Sequence, residues 1–381
     1  MRFEEHVLGD LIVNFDKRRI PLSSRQRSLR KGIYPYYGAT SIMDYVDDYI
    51  FEGQYILMGE DGTVLDENGH PILQKVEGKF WCNNHAHVIR NTELITFNYL
   101  YYLLKNTNVR PIVTGAVQPK ISQSNMNNLR ITIHKNIHEQ RKVASILTVL
   151  DDRIANNTAI NKNLEEQAQA IFADFLASHQ TSSVTVEDVV LTANTGADAI
   201  RKTPIVDYDT GVRCVRVGDL SNQRPVYEWG FTQVTPEIFT QYQLHKDDIV
   251  ITRTASLGLN RLISEDLNAV YNNGLIRITV NQNMVYSLIL FRQFQTANYR
   301  NYISRINSET SVRPNMKINY LMKYKFDIPH ISEQAKLIEI LQPIFVAQEN
   351  NVAENQALST LRDTLLPKLM SGEIDVSNIE I

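Results

Sequence analysis

Three side chains within one short segment have the types that zinc prefers. Cys82, His85 and His87 offer a thiolate and two imidazoles. In an extended segment neighbouring side chains point to opposite faces, so the two histidines share a face and the cysteine points away from it. No fourth ligand stands at a fitting spacing. We therefore predict no metal ion here, and expect Asn84, His85 and His87 to make polar contacts or to pack.

A second pattern has the residue types of a magnesium-dependent nuclease. Asp61 or Asp66 comes before Glu77-Gly78-Lys79, an acid followed by an acid-x-lysine triplet, and such groups can hold a catalytic magnesium ion. Such triplets are frequent by chance, and Gly78 favours a turn. A self-contained nuclease therefore stays an alternative, and the test is whether the purified chain cuts DNA with magnesium.

Two long amphipathic segments must position any such site. In residues 138–180, residues at alternating steps of four and three form a seam: Val143, Leu147, Leu150, Ile154, Asn157, Asn161, Leu164, Ala168, Ile171 and Phe175. Residues 331–371 repeat it, with Asn351 and Asn355 at the matching places. A spacing of 3.5 residues is typical of helices that pair with each other. We expect Asn157 to meet Asn355, and Asn161 to meet Asn351, fixing an antiparallel register. Two unrelated helices in one core are the alternative.

The repeat extends into the segments before each helix. Cys82-Asn83-Asn84 matches Tyr271-Asn272-Asn273, and Val117-Gln118-Pro119 matches Val312-Arg313-Pro314. The chain order of module, helix, module and helix predicts an α+β fold. In it, two pseudo-repeated domains of mixed sheet with small helices are joined by two long helices that form an antiparallel coiled coil. The predicted limits are 1–137 and 181–330 for the domains, 138–180 and 331–371 for the helices, and 372–381 for a tail.

This arrangement resembles the specificity subunit of a type I restriction-modification system. The resemblance covers essentially the whole chain, and the string from Leu365 to Ile374 is similar to the closing signature of that family. It implies two target-recognition domains, each of which reads one half of a split sequence in double-stranded DNA. It also implies partners, namely two modification subunits that methylate adenine, and restriction (translocase) subunits.

Composition limits the class of protein further. The 381 residues include two cysteines, Cys82 and Cys214, which lie in different modules, and no long apolar run. We therefore expect no disulfide, no membrane segment and a cytoplasmic location. The formal net charge of −3 argues against indiscriminate nucleic-acid binding. However, the acidic excess lies in the helical segments, and each module carries slightly more Lys and Arg than Asp and Glu.

The predicted DNA-binding residues lie in loops and turns of both modules. A basic run near the start of the chain is interpreted as a loop because of Pro21, Ser23 and Ser24, and is expected to contact phosphates. The resemblance places the aromatic and Gly-rich stretches that follow near DNA, with Gln118 and Lys120 contacting an adenine edge and a phosphate. The set comprises Lys17, Arg18, Arg19, Arg25, Arg27, Arg30, Tyr36, Tyr37, Glu60, Asp61, Asn84, His85, His87, Gln118, Lys120, Arg253, Ser256, Asn273, Arg313 and Lys317.

A second basic face is predicted in the second module, made of Arg292, Arg300, Arg305, Arg313, Lys317, Lys323 and Lys325. The sequence has neither a Gly-rich loop for S-adenosylmethionine nor a Gly-x4-Gly-Lys-Ser/Thr phosphate loop. We therefore expect a non-catalytic subunit without a cofactor. A structural adaptor that binds only proteins is the other alternative, and the test is whether any DNA duplex competes for it.

Overall fold

Short strands and helices come before each of two very long helices in the computed structural model, which describes residues 3–115, 117–309 and 315–379. The chain divides into two compact units, residues 1–154 with 357–381, and residues 155–356. The unit boundaries fall inside the long helices, and the predicted domain limits stay a prediction. In the described part of the chain, no helix is both long and apolar enough to cross a membrane.

The described part of the first module has ten strands, six of which form one sheet. The strands are β1 (Phe3–Val7), β2 (Ile12–Asn14), β3 (Lys31–Tyr37), β4 (Ile42–Val46), β5 (Phe51–Gly59), β6 (Leu73–Cys82), β7 (Ala86–Asn91), β8 (Val113–Thr114), β9 (Lys120–Ile121) and β10 (Arg130–His134). The helices are α1 (Leu8–Leu11), α2 (Ser24–Leu29), α3 (Phe97–Lys105) and α4 (Gln123–Asn127). The sheet order is β2-β7-β5-β6-β3-β4. Neighbouring strands of this sheet are antiparallel, except that β3 and β6 are parallel.

The neighbouring strands β5 and β7 of this sheet are covered on both faces. Residues 55–59 of β5 and 86–89 of β7 are buried without interruption, and an apolar run of this kind is typical of a strand covered on both sides. One face packs with Tyr99 and Leu100 of α3. The other face packs with Phe51 and Phe80. This core holds the ends of β5 and β7, where the candidate site lies.

The second module follows the first long helix, α5 (Ile137–Ser178). Its strands are β11 (Thr181–Thr185), β12 (Val190–Thr195), β13 (Ile205–Val206), β14 (Arg213–Val215), β15 (Phe231–Thr232), β16 (Ile249–Thr252), β17 (Asn260–Leu262), β18 (Ala269–Tyr271), β19 (Leu275–Val280) and β20 (Lys325–Pro329). Its helices are α6 (Val186–Val189), α7 (Val217–Ser221), α8 (Pro236–Tyr242), α9 (Ser287–Gln293), α10 (Ala297–Glu309) and α11 (Ile318–Met322), and the second long helix is α12 (Ile331–Ser371). The sheets have the orders β12-β19-β16-β17 and β13-β15-β14-β18.

A buried glutamine attaches each long helix to the module that precedes it. Gln140 Nε2 donates to His134 O at 2.8 Å and to Leu94 O at 3.2 Å, while its Oε1 accepts from Thr96 N at 2.9 Å. Its side chain is fully buried. Because all three partners are main-chain groups of the module, the glutamine fixes where the helix starts. We name this arrangement the glutamine clamp.

The second glutamine clamp repeats the first bond for bond. Gln334 Nε2 donates to Pro329 O at 2.9 Å and to Met284 O at 3.1 Å, and its Oε1 accepts from Tyr286 N at 3.2 Å. Gln334 is also fully buried. The Glu-Gln pair recurs in the sequence as Glu139-Gln140 and Glu333-Gln334. Its recurrence has a physical reason, since in both copies the glutamine supplies the same three hydrogen bonds.

The two long helices form an antiparallel coiled coil, which agrees with the predicted α+β fold. Within the second unit, Asn157 Nδ2 donates to Asn355 Oδ1 at 2.9 Å, and Asn351 Nδ2 donates to Asn161 Oδ1 at 2.8 Å. The residue number rises on one helix as it falls on the other, as antiparallel pairing requires. Asn161 Nδ2 also donates to the Gln348 carbonyl at 2.9 Å. The polar centre of the seam is therefore satisfied by its own amides.

Two local expectations are wrong. The basic run was expected to be a loop, but Ser23 and Gln26 form a capping box that starts helix α2. The second basic face was expected to include Arg292, whose side chain is only 1% exposed. Its guanidinium contacts both carboxylate oxygens of Glu165 on α5, at 2.7 and 2.6 Å. Arg292 therefore joins α9 to the long helix and is not available on the surface.

Candidate nucleic-acid interface

Three chain segments of the first module are tied together at the end of β5. Glu60 N donates to His85 O at 2.9 Å, and Ile121 N donates to Glu60 O at 2.8 Å. Asp61 forms an isolated bridge with Lys120. The residue after β5, the turn before β7 and strand β9 therefore share one main-chain frame. This frame brings together six of the predicted site residues: Glu60, Asp61, Asn84, His85, Gln118 and Lys120.

The second module has the same main-chain frame at the end of β16. Arg253 N donates to Gly274 O at 2.9 Å, and Met316 N donates to Arg253 O at 2.7 Å. Thr254 forms the isolated bridge, here with Asn315. Each bond matches one in the first module, so Arg253 occupies the position of Glu60. The predicted residues Arg253, Ser256, Asn273 and Lys317 lie at or beside this frame.

Glu60 is the centre of an ion cluster in the first module. Its carboxylate lies 2.7 Å from Arg19 Nη1 and 3.2 Å from Lys120 Nζ. Arg19 Nη1 also donates to the Ala86 carbonyl at 2.6 Å. The side chain of Glu60 is 14% exposed and that of Arg19 is 11% exposed. Partial burial strengthens these bonds relative to bonds in water, so Glu60 holds three chain segments in place.

A second carboxylate, Asp16, completes this cluster. His87 Nδ1 lies 2.6 Å from Asp16 Oδ2, and Val88 N donates to Asp16 Oδ1 at 2.8 Å. Burial raises the pKa of Asp16, but the hydrogen bond and charge of His87, with the bond from Val88, outweigh burial and hold that pKa below its ordinary value. Sequence reasoning missed Asp16. The only sequence signal was an acid placed directly before the basic run.

Arg253 has the equivalent role in the second module with the opposite charge. Its Nη2 donates to Asn315 Oδ1 at 2.9 Å, its Nη1 to Asn273 O at 3.2 Å and its Nε to Met316 O at 3.3 Å. The guanidinium therefore joins the end of β16 to the turn before β19 and to residues 315–316, whereas the Glu60 carboxylate joins the end of β5 to Arg19 and to β9. We call Glu60 and Arg253 the hub residues. Their charge reversal leaves the main-chain frame unchanged.

Exposed polar side chains surround each hub residue. In the first module His85 Nδ1 lies 2.6 Å from Asp61 Oδ1, and Asn84 and Gln118 are exposed. In the second module Ser256, Asn273 and Lys317 are exposed. These side chains differ between the modules in charge and in hydrogen-bonding pattern. Arg313 lies outside the described residues.

The basic run divides into structural and free cations. Arg18 Nη2 donates to Ile50 O at 2.7 Å. Arg27 Nη1 donates to Leu22 O at 2.6 Å, and Arg30 Nε lies 2.9 Å from Asp47. Lys17 and Arg25 are exposed, and neither side chain bonds to another residue in the described ranges. These two are the cations of the run best suited to reach a phosphate.

Three predicted residues lie mainly inside the first module. Tyr36 and His87 are each 1% exposed. Tyr36 Oη accepts from Leu22 N at 2.8 Å, and His87 Nε2 lies 2.8 Å from Ile121 O. Tyr37 is partly buried, which raises the pKa of its hydroxyl. In this conformation Tyr36 and His87 can influence DNA binding only through the residues that they support.

The geometry of the zinc and nuclease patterns favours neither chemistry. Burial raises the pKa of the Cys82 thiol to about 12, and among the described residues Cys82, His85 and His87 do not bring their ligand atoms close enough together to share a metal ion. Glu77 pairs with Gln54, six residues before Glu60, which places it roughly 20 Å along the strand from the Glu60 frame. Asp16, Glu60 and His87 are residue types that could hold a metal ion, but Arg19 and Lys120 already compensate their charge.

The comparisons with known proteins agree with this architecture. The family model of the type I restriction modification DNA specificity domain matches residues 2–166 and 193–359. The chain therefore belongs to this family. A Haemophilus influenzae protein with the provisional name of a type I restriction enzyme specificity subunit is 25% identical over 358 residues, which cover 90% of this chain and 87% of that protein.

A second relative and a solved structure extend the comparison. The type I restriction enzyme MjaIX specificity subunit of Methanocaldococcus jannaschii is 21% identical and is matched over 84% of this chain and 79% of its own length. The crystal structure of the S subunit of the M. genitalium type I restriction-modification system has a TM-score of 0.63 at 16% identity, covering 97% of this chain and 96% of that one. This second likeness shows the shared fold.

Proposed function

We propose that each module reads one half of a split sequence in double-stranded DNA, and that the chain thereby directs separate modification and restriction subunits to that sequence. The observation that carries this proposal is the pair of matching main-chain frames. They hold Glu60 and Arg253 at the same place and surround them with different polar side chains. Independent recognition of two different half-sites requires a frame that both modules share and contacts that differ between them, because side chains at base edges specify sequence.

The modification partner that we propose is an adenine methyltransferase, and the chain itself is non-catalytic. The test is sequencing of native host DNA for methylated bases. Deletion of this gene should abolish methylation at a split motif, while other methylated motifs stay unchanged. Loss of no split motif would contradict the proposal. Incubation of the purified chain with DNA and magnesium separates this function from the nuclease alternative, since we expect no cleavage.

Exchange of residues 181–330 for the same segment of a relative tests the independence of the two readings. We expect one half of the methylated motif to change and the other half to persist, because the side-chain bonds described for each hub residue lie within its own module. A change in both halves would count against independent reading. Failure of any duplex to bind the assembled complex would favour the protein-only adaptor.

A further inference from the structure

Each module exposes large aliphatic side chains in the part of its chain that follows its second strand. In the first module Leu29 and Ile33 are 79% and 80% exposed. In the second module Ile200 is 85% exposed. Single exposed apolar residues are ordinary. Leu29 lies between β2 and β3, Ile33 lies inside β3, and Ile200 lies between β12 and β13. This recurrence after the second strand of each module is the observation that needs a reason.

An unpaired cation stands beside the apolar side chains in both modules. Arg25 and Leu29 are four residues apart on α2, so they share one face of that helix. Arg201 follows Ile200 directly, and both are exposed. Neither guanidinium makes a hydrogen bond or ion pair within the described part of the chain. We call Arg25, Leu29 and Ile33 the first patch, and Ile200 and Arg201 the second patch.

The main chain under the first patch is held firmly. The capping box bonds between Ser23 and Gln26 start α2, at 2.8 and 3.3 Å. Asp47 then fixes the end of this segment, because its carboxylate lies 2.9 Å from Arg30 Nε and its N–H donates to Arg30 O at 2.9 Å. The exposed side chains therefore stand on a supported segment and are already placed for a partner.

The second patch is held by one aspartate. Asp198 Oδ1 accepts from Ile200 N at 3.0 Å and from Arg201 N at 2.7 Å. Its carbonyl accepts from Lys202 N at 3.1 Å and from Thr203 N at 3.0 Å. These bonds form a tight turn whose outermost side chains are those of the second patch. The two modules thus support an apolar and cationic tip by different local structures.

We propose that the two patches contact duplex DNA, with the aliphatic side chains against the bases and the arginine on an adjacent phosphate. A free guanidinium complements a phosphate, and an aliphatic side chain complements a thymine methyl group or a partly unstacked base. The combination fits a polyanion with apolar base surfaces. This inference rests on the proposed function and deepens it, because it names residues that contribute to the affinity of each half separately.

The test uses the full chain assembled with its modification subunits, and duplexes in which either half of the methylated motif is scrambled. The variants are L29N with I33N for the first patch, and I200N for the second. L94N is the matched control, since Leu94 is 47% exposed and lies outside both patches. All four substitutions are at exposed positions, so thermal unfolding should be nearly unchanged.

We expect the L29N and I33N double variant to bind about tenfold more weakly when the half read by the first module is intact. It should match the wild type when that half is scrambled. I200N should show the converse, and L94N should show neither effect. The salt slope should stay unchanged in these variants, whereas R25Q and R201Q should each reduce it by about one unit.

The inference would be overturned by unchanged DNA affinity in the patch variants, or by equal weakening with both scrambled duplexes. It would also be overturned if the patch variants no longer co-purified with the modification subunits, because the patches would then bind a protein. The wild type serves as the control for the proposed function. If the wild type fails to bind the split duplex, the proposed function fails. If the wild type binds and the patch variants bind equally well, only the inference fails.

Discussion

Asn157 Nδ2 on the first long helix lies 2.9 Å from Asn355 Oδ1 on the second, and also 2.9 Å from Glu354 Oε2. Asn157 is 1% exposed. A leucine at this position would remove both bonds, including the one that Asn355 Oδ1 accepts. Loss of a partner costs about 1–3 kcal/mol for each buried polar group. The pair therefore favours one register of the helices over its alternatives.

The first prediction is that Asn157→Leu lowers the free energy of unfolding by about 1–3 kcal/mol, measured by urea denaturation. Asn156→Leu is the control, because Asn156 is an exposed neighbour outside the seam and should change stability by less than about 0.5 kcal/mol. Equal effects of the two changes would contradict this role. Replacing Asn157, Asn161, Asn351 and Asn355 together by leucine is expected to stabilise the helix pair but to weaken its register.

The second prediction concerns the ion pair of Arg292 and Glu165. Arg292→Met should destabilise by about 3 kcal/mol at neutral pH, because the carboxylate loses its buried partner. This value is at the low end for such pairs, since the side chain of Glu165 is 32% exposed. Glu166→Gln, at an exposed neighbour, is the control. Denaturation curves should show little change in that variant.

The same ion pair gives a pH dependence with a definite sign. Burial raises the pKa of Glu165, but the charge and hydrogen bonds of Arg292 outweigh it and hold that pKa below its ordinary value. The stabilisation is therefore fully present above the unfolded-state pKa of about 4.3, and is lost as pH falls through the lower folded-state value. The stability difference between wild type and Arg292→Met should shrink below about pH 4. A difference that grows in acid would contradict this assignment.

The third prediction is that each hub residue affects one half of the target sequence. Glu60→Gln weakens the bonds to Arg19 and Lys120. We expect it to reduce methylation because recognition of one half of the motif is impaired, namely the half read by the first module. Arg253→Gln should act through the other half. Glu77→Gln is the control, because Glu77 is exposed on β6. If Glu60→Gln relaxed the specificity for both halves, the hub would not act within its own module.

The fourth prediction assigns phosphate contacts within the basic run. Lys17→Gln and Arg25→Gln should each reduce the slope of log K against log salt by about one unit, and should weaken binding to all sequences alike. Arg19→Gln should instead lower the melting temperature, because Arg19 bonds to Glu60 and Ala86 inside the module. A large change in slope with Arg19→Gln and unchanged stability would reverse this assignment.

The fold followed from the sequence because its main signals are periodic. The seam from Val143 to Phe175 and its repeat predict two paired helices without tertiary information, and the two Asn-Asn pairs before β7 and β19 mark equivalent modules. The same periodicity gave no account of the repeated Glu-Gln pair. Its role as a clamp depends on Leu94 and Met284, which lie far from the glutamines in the chain.

The candidate site was less accessible to sequence reasoning because its cations look alike in the sequence. Arg25 and Arg30 belong to one basic run, yet Arg30 stacks 4.8 Å from the Trp81 ring and pairs with Asp47, while the Arg25 side chain has no bond to any residue that the structure describes. Only the pairing of β3 with β6, which are distant in the chain, brings Trp81 near this segment. Long-range pairing also hid Arg292, whose partner Glu165 precedes it by 127 residues.

The glutamine clamp has a consequence for how such a protein can change over generations. The three bonds of Gln140, and likewise the three bonds of Gln334, go to main-chain atoms of the adjacent module. In each clamp two partners are carbonyl groups, which every amino acid carries, and the third is an N–H group, which every residue except proline carries. An incoming module with a different DNA-facing surface can therefore be attached by the same glutamine, as long as it keeps the apolar residues that pack against Val143 and Leu147 of the helix. Inheritance of a new target sequence then requires the transfer of a single uninterrupted stretch of gene.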